Sequence, residues 1–275
     1  MHLQWFPGHM TKALRMMEEE VKLCDGIVMV LDARCPFACL NKKLNGVFGS
    51  KPVVYALNKS DMVSNSDIKA VTEQFVKDGK TVVSVVGTDE KSGVRLYTAI
   101  LNALSEVREK YKQKGVNKPL RVMVAGIPNT GKSTLINLLC GNKRAKTGDK
   151  AGVTKDKQWV RIKELELLDT PGTTPPSFES QTYAEYLAFV GSINDDIIDF
   201  IELSVDLIKY LVENYKGTLN TVYKVNEDAE PYEIFTQIAT RRGAIKRGGE
   251  IDEERASSLI ISDLRKGKLG KVYFK

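Results

Sequence analysis

The stretch Gly126–Thr134 constrains this chain most, because G-I-P-N-T-G-K-S-T contains the spacing G-x-x-x-x-G-K-S of a phosphate-binding loop. The mostly apolar residues 120–125 precede it and predict a buried strand, and residues 132–140 repeat apolar side chains at helical spacing. Backbone N–H groups and the helix dipole then favour an anion in the loop. The motif predicts that Lys132 reaches the β- and γ-phosphates of a nucleotide and that Ser133 binds Mg²⁺. The other loop residues expected to bind the nucleotide are Asn129, Thr130, Gly131 and Thr134.

Apolar runs that alternate with helical patterns surround this loop and predict an α/β fold. The runs that read as buried strands cover residues 26–31, 51–57, 81–86 and 120–125, and two shorter strands follow at 159–162 and 165–168. A stripe from Leu96 to Tyr111 predicts one long helix before the loop. We therefore expect a mostly parallel sheet with helices on both faces.

The sequence changes character after Pro176, where helical periodicity continues with little strand signal. Residues 195–215 form one long amphipathic stretch, and Asp252 is placed to cap a later helix. We therefore predict two domains: a sheet domain over 1–177 and a small all-helical domain over 178–275.

Composition limits the class of protein. The 275 residues are 42% hydrophobic with a net charge of +6, as expected for a water-soluble globular chain. Apolar runs of about 18 residues, the length that a membrane helix needs, are absent from the sequence, and the N-terminus lacks the pattern of a secretory signal. The four cysteines form no C-x-x-C pair, which favours reduced thiols and a cytoplasmic location over a metal site.

The motif Asn58-Lys-Ser-Asp61 follows the second predicted strand and indicates which base is bound. The carboxylate of Asp61 can accept hydrogen bonds from the ring N1–H and the exocyclic amine of guanine, whereas adenine leaves that buried charge unpaired. Asn58 is expected to bond the other edge of the base, and Lys59 to lie along the sugar and base. Four letters can also be a plain turn; their combination with a phosphate loop favours guanine recognition and hence binding of GTP and GDP.

The motif Asp169-Thr-Pro-Gly172 follows the last predicted strand. We expect Asp169 to contact Mg²⁺ through water and the N–H of Gly172 to sense the γ-phosphate. Thr154, in the basic loop before it, is the candidate switch threonine that ligates Mg²⁺ in the triphosphate state. An ordinary loop threonine is the alternative, and Thr147 is a weaker candidate for the same role.

The order of these motifs is unusual, because the base-reading motif precedes the phosphate loop. A circularly permuted chain can build the same sheet, since packing matters more than where the chain begins. In this order the segment after Gly172 leads directly into the helical domain, so hydrolysis could move that domain.

Basic charge is concentrated at the end of the sequence, where residues 241–275 hold ten Lys and Arg against five Asp and Glu. Glycines in the stretch 241–249 would allow the backbone to approach phosphates closely, which suits RNA. A solvated charged face is the simpler alternative.

Together these motifs make the whole chain resemble the ribosome biogenesis GTPase A family of circularly permuted GTPases. Beside the three nucleotide motifs, the resemblance rests on the segments 5–10, 31–34, 152–154, 242–243, 248–252 and 265–270. It implies a GTPase that uses Mg²⁺ in late maturation of the large ribosomal subunit and binds ribosomal RNA and proteins, with ribosomal particles stimulating its turnover. We expect it to act as a monomer without membrane attachment.

The resemblance also assigns residues that spacing alone does not. His9 matches a histidine proposed in the family to act in hydrolysis, and Asn129 matches an asparagine that helps related GTPases bind K⁺. Loop-stabilising roles are the alternatives for both. Ser84-Val85 stands where the base-contacting pair is usually Ser-Ala, and Ala151 where proline is usual. The catalytic set predicted in this way is His9, Lys132, Thr154 and Gly172.

Two rival classes remain open from sequence. Thr173 stands where Ras-like enzymes place the water-orienting glutamine. The first rival, a nucleotide-gated RNA-binding protein with negligible turnover, is therefore not excluded. A small-molecule kinase with a phosphate loop is disfavoured by the base-reading motif and by the lack of an evident lid.

Overall fold

The computed structural model describes residues 8–40, 46–141, 158–170, 172 and 180–275, with backbone alone for 8–14 and 158. Its described residues form two compact units. The helical unit covers residues 180–272, and the sheet unit comprises the residues up to 172 together with Tyr273–Lys275. The predicted domain boundary between residues 177 and 178 falls in 173–179, outside the described residues.

A six-stranded sheet organises the first unit, and its strand order is β3-β2-β1-β4-β6-β5. The strands are β1 Gly26–Asp32, β2 Val53–Asn58, β3 Thr81–Ser84, β4 Leu120–Ala125, β5 Gln158–Ile162 and β6 Leu165–Asp169. Neighbouring strands are parallel except β5 and β6, which pair antiparallel through a tight turn. The predicted mostly parallel sheet is confirmed.

Helices pack on both faces of this sheet. They are α1 Gly8–Val21, α2 Asn65–Lys77, α3 Glu90–Ala103, α4 Ser105–Gln113 and α5 Lys132–Cys140. Alternate residues of β1 and β4 such as Val28 and Val124 form one buried cluster with Ile100 of α3 and Ile136 of α5. On the opposite face, Phe75 of α2 lies edge-on to Tyr55 of β2, and their ring centroids are 5.4 Å apart.

The prediction of a single long helix from Leu96 to Tyr111 is wrong, because Leu104 separates α3 from α4. The backbone of Leu104 leaves helical geometry at φ −100° and ψ 12°. Its side chain is buried beside Gly26, where a Cβ would lie 2.7 Å from Leu104 Cδ2. Packing against the start of β1 therefore accompanies the break that the sequence pattern did not reveal.

The second unit is helical, as predicted. Its helices are α6 Gln181–Phe189, α7 Phe200–Asn214, α8 Thr218–Tyr223, α9 Pro231–Arg241 and α10 Glu253–Arg265. The stretch 195–215 is not one helix: a short 3₁₀ turn over Asp195–Ile197 precedes α7, which begins where Asp199 accepts hydrogen bonds from two backbone N–H groups. The capping role predicted for Asp252 is confirmed, since it accepts from the N–H of Arg255 at 3.2 Å.

The chain returns to the sheet unit after the helical unit. Tyr273–Lys275 group with the sheet unit, and the N–H of Phe274 donates to the carbonyl of Arg34 at 2.7 Å. Tyr273 and Phe274 are both buried. The sheet unit therefore contains residues from both sides of the helical unit in sequence.

Candidate nucleotide-binding site

The phosphate loop joins β4 to α5, and its glycines are required by close approaches. Gly126 has φ 152°, and a Cβ there would lie 2.5 Å from the carbonyl oxygen of Val30. Gly131 has φ 93°, and a Cβ there would lie 2.3 Å from Nδ2 of Asn58. Between them, Asn129 adopts the left-handed conformation at φ 60°. The loop conformation thus depends on residues that can adopt positive φ in a crowded place.

Lys132 is buried at the start of α5, and its Nζ donates to the carbonyl oxygens of Gly126 at 3.1 Å and Ile127 at 2.9 Å. Burial lowers the pKa of Lys132 to about 8, although the nearby charge of Asp169 acts in the opposite direction. A Cβ on Gly172 would lie 3.0 Å from this Nζ. The structure therefore brings Gly172 to the amine of Lys132.

Ser133 and Asp169 meet at the carboxyl edge of the sheet. The hydroxyl of Ser133 donates to Oδ2 of Asp169 at 2.9 Å, and Asp169 is 2% exposed. A hydroxyl and a carboxylate supply the oxygen ligands that Mg²⁺ prefers, so this pair fits the ion. Clusters of three or more His, Cys, Asp or Glu able to hold a metal by themselves are not found within the described ranges.

Thr170 is a structural contributor that sequence reasoning missed. It is fully buried, and its Oγ1 donates to the carbonyl of Val124 at 2.8 Å. This bond fixes the end of β6 against β4, next to the phosphate loop. The signal lay in the second position of the Asp169–Gly172 motif, where a short hydroxyl side chain can reach a neighbouring strand.

The base-reading motif lies beside the phosphate loop. Asn58 ends β2 and donates through Nδ2 to the carbonyl of Thr130 at 2.7 Å, whereas Lys59 donates through Nζ to the carbonyl of Asn129 at 2.8 Å. Asp61 sits in the 3₁₀ turn Ser60–Met62 and is exposed. The two motifs, which are separated by about seventy residues in sequence, are therefore joined by two direct hydrogen bonds.

Asn58 also lies close to the loop after β3. Its Oδ1 is buried and accepts no hydrogen bond from the described part of the chain. A Cβ on Gly87 would lie 3.5 Å from that atom and 2.9 Å from Cγ2 of Thr134. Ser84, the last residue of β3, pairs with Leu57 in β2. The strand register thus brings Ser84 to the same edge of the sheet as Asn58.

A second pair of residues at this edge was named only through the family resemblance and received no role. Asp32 ends β1 directly opposite Asn58 in the register and is fully buried. Its Oδ2 accepts from Nη2 of Arg34 at 2.7 Å and from Nζ of Lys59 at 2.8 Å. Burial by itself would raise the pKa of Asp32, but Arg34 and Lys59 together hold it well below its usual range. Asp32 is therefore ionised at neutral pH.

The described geometry does not include the side chains of two predicted site residues, His9 and Thr154. His9 lies in α1, but its side chain is outside the described residues, and Thr154 and its rival Thr147 lie outside them altogether. Their approach to the phosphate loop is accordingly not part of the described geometry.

The sheet order and this site define a circularly permuted GTPase with a phosphate loop. The family model described as "50S ribosome-binding GTPase" matches residues 121–238, a range that contains the phosphate loop and omits the base-reading motif at 58–61. Such a split is expected when the base-reading strand precedes the loop.

Full-length relatives carry the same signal. Ribosome biogenesis GTPase A of Bacillus licheniformis is 39% identical over 100% of this chain and 98% of its own length. The protein of that name from Thermotoga maritima is 31% identical over 99% of this chain and 94% of its own length. The chain belongs to the ribosome biogenesis GTPase A family.

Solved structures agree in fold. GNP-bound YlqF of Thermotoga maritima superposes with a TM-score of 0.67 at 29% identity, covering 96% of this chain and 97% of that one. GDP-bound YlqF gives a TM-score of 0.68 at 28% identity, covering 95% and 98%. Helices long and apolar enough to cross a membrane were not found among the residues that the structure describes.

Proposed function

We propose that this chain binds GTP and hydrolyses it to GDP and phosphate while it assists a late step in the maturation of the large ribosomal subunit. The sheet domain holds the nucleotide, and the helical domain over 178–275 binds ribosomal RNA. The protein acts in the cytoplasm as a monomer, and its partners are ribosomal RNA and ribosomal proteins. The name of the full-length relatives supports the GTPase and ribosome-assembly parts of this proposal.

The observation that carries the nucleotide part is the pair of hydrogen bonds between the base-reading motif and the phosphate loop. Asn58 and Lys59 bond to consecutive loop carbonyls, those of Thr130 and Asn129. These hydrogen bonds are not expected if residues 58–61 are a plain surface turn without a role in nucleotide binding. The exposed carboxylate of Asp61 is then free of the sheet and available to the N1–H and amine of guanine.

Each catalytic residue has a stated role in this proposal. Lys132 binds the β- and γ-phosphates, and the N–H of Gly172 senses the γ-phosphate beside it. Thr154 would hold Mg²⁺ together with Ser133 and Asp169 in the triphosphate state. His9 orients the attacking water, because Thr173 cannot replace the glutamine of Ras-like enzymes.

The metal part rests on the oxygen donors already described. Ser133 and Asp169 would hold Mg²⁺, and the bound ion would neutralise phosphate charge during transfer. Asn129 is the candidate ligand for K⁺ and is presented by the left-handed turn of the loop.

The basic stretch 241–275 supports the RNA part. A bridge between Ile245 and Ile251 closes a hairpin in which Lys246 and Arg247 are exposed. The glycines 248 and 249 at its tip have φ 117° and 93°, and a Cβ on either would meet nothing within 4 Å. Phosphates can approach such a backbone closely, and lysine and arginine then supply the charge.

Arg265, by contrast, is held inside the helical unit. Its guanidinium pairs with both carboxylate oxygens of Asp195 at 2.8 Å and donates to the carbonyls of Ala188 and Phe189. We therefore leave Arg265 out of the RNA contacts and assign it to the packing of α10 against the end of α6.

The test is GTP turnover in KCl with and without purified large-subunit particles, for the unaltered protein and for Asp61→Asn. We expect particles to accelerate turnover. We expect Asp61→Asn to lose affinity for GTP and to prefer xanthosine triphosphate. Tight GTP binding without stimulation by mature or immature particles would instead favour the nucleotide-gated RNA-binding protein. Retained GTP preference in Asp61→Asn would overturn the assignment of the base contact.

A further inference from the structure

Asp32 and Arg34 form a buried ionic pair that the proposed function does not use. Arg34 meets Asp32 through two side-chain hydrogen bonds, Nε to Oδ1 at 2.9 Å and Nη2 to Oδ2 at 2.7 Å. The N–H of Arg34 adds a third bond, to Oδ1 at 3.1 Å. Both side chains are at most 2% exposed. The carboxylate is therefore held in one orientation by a planar, bidentate partner.

One oxygen of this carboxylate also binds the base-reading motif. Oδ2 of Asp32 accepts from Nζ of Lys59 at 2.8 Å, and the same Nζ donates to the phosphate-loop carbonyl of Asn129 at 2.8 Å. The ammonium of Lys59 thus sits between an anion at the end of β1 and the loop after β4. The backbone of Lys59 has φ 59°, a left-handed conformation that is unfavourable for a residue other than glycine. These contacts of its side chain help to stabilise that conformation.

Stability alone is a poor explanation for this arrangement. Burying charged groups is costly, and the mutual attraction of a buried pair often only offsets that cost. Such a cluster instead fixes geometry, since each charge has a defined partner. The geometry fixed here is the position of Lys59 relative to Asn129.

We propose that Asp32, braced by Arg34, is a positioning residue of the nucleotide site that holds Lys59 between the base-reading motif and the phosphate loop. It acts through Lys59 and does not itself touch the nucleotide. The proposal rests on the proposed function, because it assumes that a guanine nucleotide occupies this site.

The experiment is a double-mutant cycle on the affinity for GDP carrying a fluorescent methylanthraniloyl group. Asp32→Asn is nearly isosteric and removes the charge that orients Lys59. We expect it to weaken binding at least tenfold in the unaltered protein and less than twofold in a Lys59→Met background. A purely structural role would weaken binding by the same factor in both backgrounds, because it would not depend on Lys59.

The residue that precedes β1 offers a matched control. Asp25 precedes β1 and also accepts hydrogen bonds from other elements, from the hydroxyl of Tyr111 and from the N–H of Arg121 at 2.8 Å. It lies at the opposite edge of the sheet from Asp32. Asp25→Asn should therefore leave the affinity for the labelled GDP within twofold of the unaltered protein.

A second variant keeps the test decisive if Asp32→Asn does not fold, which tryptophan fluorescence would reveal. Asp32→Glu retains the charge but displaces the carboxylate by one methylene, so a positioning role predicts at least threefold weaker binding. Unchanged affinity in a folded Asp32 variant, or equal losses in both Lys59 backgrounds, would overturn the inference while leaving the proposed function intact. Failure of the unaltered protein to bind the labelled GDP would overturn both.

Discussion

Replacing Gly131 with alanine tests the joint between the base-reading motif and the phosphate loop. The new Cβ would lie 2.3 Å from Nδ2 of Asn58, so Asn58 must move and lose its hydrogen bond to the carbonyl of Thr130. Asn58 and Thr130 are both buried, and an unsatisfied buried polar group costs about 1–3 kcal/mol. The positive φ adds roughly 1 kcal/mol after the effect on the unfolded chain is subtracted. We expect a loss of about 2–4 kcal/mol in the free energy of unfolding.

Gly79→Ala is the matched control, because Gly79 has φ 71° but a Cβ there meets nothing within 4 Å. It should therefore cost only the backbone part, about 1 kcal/mol. Urea unfolding followed by tryptophan fluorescence reports the unfolding of the sheet unit, since Trp5 and Trp159 both precede the helical unit in sequence. GDP affinity should fall at least tenfold for Gly131→Ala and stay unchanged for Gly79→Ala. Equal losses of stability in the two variants would refute the reasoning.

Three further outcomes are expected from the described residues. Ser133→Ala removes a proposed Mg²⁺ ligand, so at least tenfold more Mg²⁺ should be needed for half-maximal GTP binding; an unchanged requirement would contradict the assignment. Affinity for ribosomal RNA should fall less steeply with salt in Arg247→Ala: the magnitude of the slope of log affinity against log salt should decrease by about 1. Lys209→Ala, an exposed control in α7, should leave the slope unchanged. Because burial lowers the pKa of Lys132 to about 8 and bound phosphates favour its charged form, the free protein must take up a proton to bind GDP above that pH. Calorimetry should therefore show affinity falling about fourfold from pH 7 to pH 8.5, and constant affinity over this range would contradict the role of the burial.

The sequence was informative wherever a structure depends on neighbouring residues. The buried strand β1 is a continuous apolar run, and the glycines of the phosphate loop stand where backbone φ is positive. The helical character of residues after Ser180 likewise followed from local periodicity. These features are set over short stretches of chain, so one sequence sufficed to predict them.

Features that depend on distant packing were not predictable in the same way. The break at Leu104 accompanies burial of its side chain beside Gly26, which is 78 residues away in sequence. The contact between Asp32 and Lys59 depends on the register that places Asp32 opposite Asn58. A one-residue slip of that register would turn the carboxylate to the other face of the sheet. Periodicity predicts that two strands are buried, but it does not fix how they align.

The return of Phe274 to the carbonyl of Arg34 makes the helical unit an insertion within the sheet unit. The helical unit is therefore connected to the sheet unit at both of its ends in sequence. The same topology also orders folding. The contact at Arg34 closes a loop of more than two hundred residues and can form only after the whole helical unit has been synthesised.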